Sequence, residues 1–166
     1  DMVLDTMETP RLLISCSARR DEYKPYGEIE ALDLLSMERA ILTRYKEPDT
    51  LLFHPHGIYL DGNMLYVISH EREPDFHPIL IYRVHGDSLE FLELVDNFLL
   101  NSPNALVTGP EGEIYLVNDS GKRGSIMEKV LKLKRASVVS LKKDTLGLWN
   151  SEYMAIDLGY PAGINR

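Results

Sequence analysis

The sequence contains one long motif that occurs twice. Residues 53–70 read FHPHGIYLDGNMLYVISH, and residues 102–119 read SPNALVTGPEGEIYLVND. Each copy consists of a polar head, an apolar strand, a turn with glycine, a second apolar strand and a polar end. Repetition at a fixed period is typical of architectures in which each repeat is one supersecondary unit. The motif therefore restricts the possible folds more than any other feature of the chain.

A more divergent copy opens the chain over residues 1–16, and it aligns Ser15 with Ser69 and Asn118 at offsets of 54 and 49 residues. A period of about 50 residues is typical of four-stranded propeller blades. The sequence thus predicts an all-β propeller fold with about three four-stranded antiparallel blades, in a single partial domain. The expected bounds are 1–48, 53–97 and 102–158, with a fourth blade beginning at 162–166.

Alternation of apolar and polar residues with period two supports the strand prediction. A half-buried strand alternates in this way, and turn residues mark its ends. Residues 40–45 are interpreted as a strand that completes the first blade. The other alternating segments are 28–33, 79–84, 89–94, 130–134 and 153–158. Together they predict an antiparallel meander without helical crossovers.

The composition excludes some classes of function. With 44% hydrophobic and 27% charged residues, the chain is expected to form a globular core. A net charge of −8 argues against nucleic-acid binding, because that binding depends on clustered Lys and Arg. No apolar run is long enough to span a bilayer. The single cysteine, Cys16, ends an apolar segment, which favours a structural thiol over a nucleophile.

The polar head and polar end of each repeat are expected to meet at one end of the blade. In a propeller the first strand of a blade lines the channel and the second strand runs back beside it. Carboxylate, amide and imidazole groups there would suit a hard-cation site and an acid/base pair. The strand heads are Asp1, His56 and Asn104, and the strand ends are Cys16, His70 and Asp119.

The motifs resemble, in order and spacing, the paraoxonase/arylesterase family. The matching segments are 53–58, 65–70, 102–104 with 109–110, 115–119 and 163–165. That family belongs with the gluconolactonase and strictosidine-synthase-like six-bladed propellers. The resemblance extends over nearly the whole chain but covers only the first half of a family member. It implies that these residues form about three blades of a six-bladed ring.

The resemblance also implies a function and a set of site residues. Family members are calcium-dependent hydrolases of esters or lactones, in which the metal polarises the carbonyl and a histidine pair activates water. His56 and His70 match that pair. Asn104 matches a ligand of the catalytic calcium, while Asp1 and the backbone carbonyl of Ile58 match ligands of a structural calcium. Asp119 is a candidate for supporting these ligands, with ordinary turn chemistry as its alternative.

Two departures from the family pattern open an alternative function. Ala105 stands where the family has a calcium-binding Asp, and Ala162 stands where it has a calcium-binding Asn. The chain is therefore either a calcium-dependent hydrolase or a non-catalytic propeller that has lost metal ligands and serves in binding or assembly. A metal-free condensation enzyme of the strictosidine-synthase type is less favoured, because of the histidine pair. An open ring exposes apolar faces, so the remaining blades of a longer chain, or a second copy, are expected to close it.

Overall fold

The computed structural model describes residues 1–17, 27–70, 76–122, 124–131, 133–159, 161 and 163–164. Within these residues the regular secondary structure consists of β-strands and one short helix. The elements are β1 (Met2–Asp5), β2 (Arg11–Ser17), β3 (Gly27–Asp33), β4 (Arg39–Ile41), β5 (Thr43–Tyr45), β6 (Pro55–Asp61), β7 (Met64–Ser69), β8 (Ile79–His85), β9 (Ser88–Val95), β10 (Pro103–Thr108), β11 (Ile114–Asn118), α1 (Ile126–Leu131), β12 (Ala136–Lys143) and β13 (Trp149–Leu158).

The strands form three sheets, and each contains four consecutive strands in chain order. The first sheet is β1-β2-β3-β4 and the third is β10-β11-β12-β13. The second is β6-β7-β8-β9, with the short strand β5 added beside β9. The pairs β1–β2, β6–β7 and β10–β11 are antiparallel, as the repeat predicts. The all-β class and the four-stranded antiparallel sheets are confirmed.

Most of the alternating segments lie in strands. Residues 28–33, 79–84, 89–94 and 153–158 fall within β3, β8, β9 and β13, respectively. Gly62 and Gly86 begin the turns after β6 and β8 with φ values of 56° and 50°. Such positive φ values favour glycine, which is why these turns are visible in the sequence.

The segment 130–134 was expected to be a strand, and this prediction is wrong. Residues 130 and 131 belong to α1 instead. The backbone nitrogen of Glu128 donates to Ser125 Oγ at 3.3 Å, and the Glu128 carboxylate accepts a hydrogen bond from Gly121 N at 2.9 Å. Ser125 and Glu128 have the Ser-x-x-Glu spacing of a helix start. This local cap overrides the short alternation that follows it.

The single strand predicted over residues 40–45 is divided in two. Arg39–Ile41 completes the first sheet, whereas Thr43–Tyr45 runs parallel to β9 in the second sheet. Leu42 lies between them with 2% of its surface exposed, and its backbone nitrogen donates to Ile29 O at 2.9 Å. This buried leucine therefore marks the point where the chain passes from the first sheet to the second.

The chain forms two compact units, which are described separately. Unit 1 comprises residues 1–71 and 79–94, and unit 2 comprises residues 72–78 and 95–166. The core of unit 1 includes Leu13, Ile29, Phe53, Leu65, Val67, Leu80, Tyr82 and Leu89. In unit 2 the buried side chains of β10, β11 and β12 include Leu106, Ile114, Leu116, Val139 and Leu141. Each unit therefore has apolar side chains of its own to hold its strands together.

In unit 1 the first strand of the second sheet passes close to β3. Gly27 N donates to Phe53 O at 2.7 Å. A Cβ atom at Gly27 would lie 2.2 Å from Pro55 Cδ and 2.7 Å from Cys16 O. Only glycine fits this approach, which fixes the beginning of β6 against β3.

Among the described residues, no helix is both long and apolar enough to cross a membrane.

Candidate functional site

The structure brings the two predicted histidines together in unit 1. β6 begins at Pro55 and β7 ends at Ser69, and these two residues lie opposite each other in the antiparallel pair. His56 and His70 are adjacent to this point and both are half-buried. Their ring centroids are 4.8 Å apart, with an angle of 44° between the ring planes. Two imidazoles are thus in contact at the end of one strand pair.

Three hydrogen bonds close this strand pair. Ser69 is fully buried, and its hydroxyl accepts from His54 N at 3.0 Å and donates to Leu52 O at 3.3 Å. His70 N donates to His54 O at 2.9 Å. We call His54, Ser69 and His70 the unit 1 junction. It fixes the backbone of His70 beside the start of β6.

His56 is held from a different strand. The register of β6 against β7 shifts between Pro55 and Ile58, so His56 lies in an interruption of the ladder. Its carbonyl oxygen accepts a hydrogen bond from Ser15 Oγ at 2.6 Å. Ser15 N in turn donates to Asp1 O at 2.9 Å. Asp1, Ser15 and His56 therefore lie at the same end of unit 1, whereas Ile58 is paired with Val67 farther along β6.

Unit 2 repeats the junction with other side chains. Ser102 N donates to Asn118 Oδ1 at 3.0 Å, and Asp119 N donates to Ser102 O at 3.0 Å. Asn118 is fully buried, and its Nδ2 donates to Leu99 O at 2.8 Å and to Ser137 Oγ at 3.1 Å. We call Ser102, Asn118 and Asp119 the unit 2 junction. Two of its bonds correspond to bonds of the unit 1 junction. The bond from Ser102 N to Asn118 corresponds to that from His54 N to Ser69, and the bond from Asp119 N to Ser102 O corresponds to that from His70 N to His54 O.

The predicted residues of unit 2 lie at this junction. Asn104 follows Pro103 on β10 and is half-buried, and Pro103 lies opposite Asn118. Asp119 follows β11, and its Oδ1 atom accepts hydrogen bonds from the hydroxyls of Ser102 and Ser120. These bonds correspond to the turn chemistry that the sequence left open as the alternative role of Asp119.

The unit 2 junction contains one of the predicted calcium ligands. Calcium takes about six to eight oxygen ligands. Asn104 is the predicted calcium ligand at the unit 2 junction, the Asp119 carboxylate beside it already accepts hydrogen bonds from two hydroxyls, and Ala105 supplies no side-chain oxygen. In the part of the chain that the structure describes, no three His, Cys, Asp or Glu side chains are grouped to hold a metal. Ala162 lies outside the described residues.

Cys16 is half-buried at the end of β2. Burial raises the pKa of its thiol, and the neighbouring Glu30 carboxylate raises that pKa further. A thiol with a raised pKa stays protonated at neutral pH and is a poor nucleophile. Its environment therefore supports the structural role that the sequence favours.

Comparisons with known proteins support the fold and leave the family open. No protein-family model matches the chain. No curated protein matches it either. A crystal structure of a protein from Lactobacillus plantarum superposes with a TM-score of 0.51 at 16% sequence identity, over 86% of this chain and 36% of that one. At this identity the likeness is one of fold, and this chain spans just over a third of the length of that protein.

Proposed function

We propose that this chain is part of a β-propeller hydrolase, similar to the paraoxonase/arylesterase family, that acts on small esters or lactones. The observation that carries the proposal is the contact between His56 and His70, with ring centroids 4.8 Å apart. The period of about 50 residues and the sheets of four consecutive strands suit the blades of a propeller. The similarity of fold to a much longer protein is consistent with an incomplete ring.

In this proposal His56 is the general base. A neutral imidazole accepts a proton from water near neutral pH, and the resulting hydroxide attacks the carbonyl carbon of the ester or lactone. The C–O bond of the tetrahedral intermediate then breaks, and the proton on His56 passes to the departing oxygen. His70 contacts the ring of His56 and keeps it in the orientation that this transfer requires.

The calcium ion that the resemblance implies does not enter these steps. When bound, such an ion would supply charge to polarise the carbonyl. Among the described residues no three His, Cys, Asp or Glu side chains are grouped around such an ion. Asn104 is the ligand that the resemblance would assign to it, and Asp1 and the carbonyl of Ile58 are those it would assign to the structural calcium. Dependence on calcium is a separate property of the reaction, and hydrolysis measured with and without a calcium chelator determines it.

The hydrolase proposal is tested by replacing His56. We expect the protein with its propeller ring closed to hydrolyse phenyl acetate or γ-butyrolactone, and His56→Gln to lower the rate by about 100-fold or more, as loss of a general base does. His85→Gln is the matched control, because His85 is an exposed histidine at the end of β8, away from the histidine pair. Its Nε2 atom lies 3.4 Å from Glu90 Oε2. An unchanged rate in His56→Gln, or a folded protein with a closed ring that hydrolyses neither probe, overturns the proposal.

A second candidate function is that of a non-catalytic propeller module for binding or assembly. It is favoured by the Asp119 carboxylate, which holds the hydroxyls of Ser102 and Ser120 in the unit 2 junction. Ala105 next to Asn104 points in the same direction. A folded chain without hydrolysis, whose thermal unfolding is unaffected by calcium or a chelator, would favour this function over the first.

A further inference from the structure

We infer that Ser15 is a positioning residue for His56, an inference that rests on the proposed role of His56 as general base. Ser15 lies on β2, and His56 lies 41 positions later on β6. The Ser15 hydroxyl donates to the carbonyl oxygen of His56 at 2.6 Å, at the short end of the range for O–H···O hydrogen bonds. Nothing in the repeat motif marks this bond, because the sequence alignment uses Ser15 only as an equivalent of Ser69.

The backbone at His56 needs such a bond because the regular ladder is interrupted there. Pro55 pairs with Ser69, and the pairing resumes with Ile58 opposite Val67 in a shifted register. Pro55 also has no N–H group to donate. An irregular segment of this kind can rotate its peptide groups unless another element holds them. The Ser15 hydroxyl supplies that restraint at the carbonyl of His56 itself.

Ser15 is suited to this task because its own position is fixed. It pairs with Ile29 of β3, a fully buried residue, and its backbone nitrogen donates to Asp1 O at 2.9 Å. The hydroxyl accepts a hydrogen bond from the Asp1 amino group at 2.8 Å, and of its two possible acceptors His56 O at 2.6 Å is closer than Asp1 O at 3.3 Å. His70 is fixed independently, through its own N–H bond to His54 O at 2.9 Å. The two rings therefore meet because two different restraints, one from β2 and one from the unit 1 junction, act on neighbouring backbones.

The chain provides a matched control for the Ser15 bond. Ser88 Oγ donates to His85 O at 2.8 Å, which is the same serine-hydroxyl to histidine-carbonyl bond. It lies at the turn between β8 and β9, and it spans 3 residues instead of 41. Ser88→Ala removes the same kind of hydrogen bond as Ser15→Ala but leaves the bond to the carbonyl of His56 in place.

The test compares Ser15→Ala, Ser15→Thr and Ser88→Ala by NMR and by kinetics. In the parent chain and in Ser88→Ala we expect nuclear Overhauser effects between the imidazole protons of His56 and His70. In Ser15→Ala these effects should weaken or vanish, and kcat should fall about tenfold while KM changes less than twofold, because the base is misplaced rather than the substrate site lost. Ser15→Thr keeps the hydroxyl and should restore both readouts. Ser15→Cys, a near-isosteric weak donor, replaces the alanine variant if that variant does not fold.

The outcomes separate this inference from the proposed function. Unchanged inter-ring effects and an unchanged kcat in Ser15→Ala overturn the positioning role, even when His56→Gln is inactive. Equal losses in Ser15→Ala and Ser88→Ala also overturn it. If instead Ser15→Ala separates the rings while His56→Gln keeps full activity, Ser15 positions His56 as inferred and the hydrolase proposal fails.

Discussion

The two junctions use the same backbone bonds and different side chains. In unit 1 a serine hydroxyl at position 69 accepts the N–H group of residue 54, and in unit 2 an asparagine amide at position 118 accepts the N–H group of residue 102. The next residue donates its own N–H back in both cases. The backbone arrangement is therefore common to both repeats, although the side chain that provides it is not.

The difference between the junctions shows which positions are free to carry chemistry. His70 and Asp119 occupy equivalent positions, but His70 contacts another imidazole whereas Asp119 accepts two serine hydroxyls. His56 and Asn104 likewise occupy equivalent strand heads. Each junction is held mainly by backbone groups and by one buried side chain, Ser69 or Asn118. The side chains of His70 and Asp119 can therefore differ without opening the strand pair.

The largest effect is expected at the buried amide of unit 2. Asn118→Ala leaves Ser102 N and Leu99 O without their partner inside the protein, and we expect it to lower the free energy of unfolding by about 3 kcal/mol. The single tryptophan, Trp149, lies on β13, so urea unfolding followed by its fluorescence reports on unit 2. Asn150→Ala, at an exposed amide, is the control and should change stability by less than about 0.5 kcal/mol. Equal urea midpoints for Asn118→Ala and Asn150→Ala would contradict the expectation that the buried amide matters most.

A smaller effect is expected at the equivalent residue of unit 1. Ser69→Ala removes two hydrogen bonds instead of three, and we expect a loss of about 1.5 kcal/mol. Amide hydrogen exchange at His70, whose N–H bonds to His54 O, should become correspondingly faster. Ser36→Ala, at an exposed hydroxyl that accepts from Glu38 N, should leave that exchange rate unchanged. A destabilisation as large as that of Asn118→Ala would mean that the two junctions do not differ as their hydrogen bonds indicate.

The smallest effect is expected at Asp119. Asp119→Ala removes the acceptor of the hydroxyl of Ser102, a residue with 1% of its surface exposed. We expect it to lower the free energy of unfolding in urea by about 1 kcal/mol. Asp96→Ala, which removes an exposed carboxylate in the same unit, is the matched control. If both substitutions leave stability unchanged, Asp119 is not a structural residue, and the supporting role that the resemblance suggests for it becomes the better explanation.

The sequence predicts the strands well because each depends on local alternation and local turns. Gly62 and Gly86 mark two-residue turns, which are recognisable in the sequence because glycine adopts their positive φ values. The division at Leu42 was not predictable in the same way, since β5 pairs with β9 more than forty positions later. The helix at 126–131 has a local signal in Ser125 and Glu128, but the alternation over residues 130–134 that follows them is typical of a strand.

The candidate site was predicted only in part. Aligning the repeats identifies His56 and His70, because they occupy the strand head and the strand end, where Asp1 and Asn104 and where Cys16 and Asp119 stand in the other copies. The alignment does not reveal the bond from Ser15 to His56, which joins two strands 41 positions apart and lies where the register of β6 against β7 is interrupted. A shift of this kind depends on the packing of two sheets in unit 1, including the contact of Gly27 with Pro55.

The spacing of the junction bonds has a consequence for the order of folding. The side-chain bonds that close the two strand pairs join residues only 15 to 19 positions apart. Contacts between nearby residues form with a small loss of chain entropy, so each hairpin is expected to close early, even on a chain still being synthesised. The bond from Ser15 to His56 spans 41 positions and forms only after the two sheets of unit 1 have packed together. The histidine pair would then acquire its final geometry as one of the last events in the folding of unit 1.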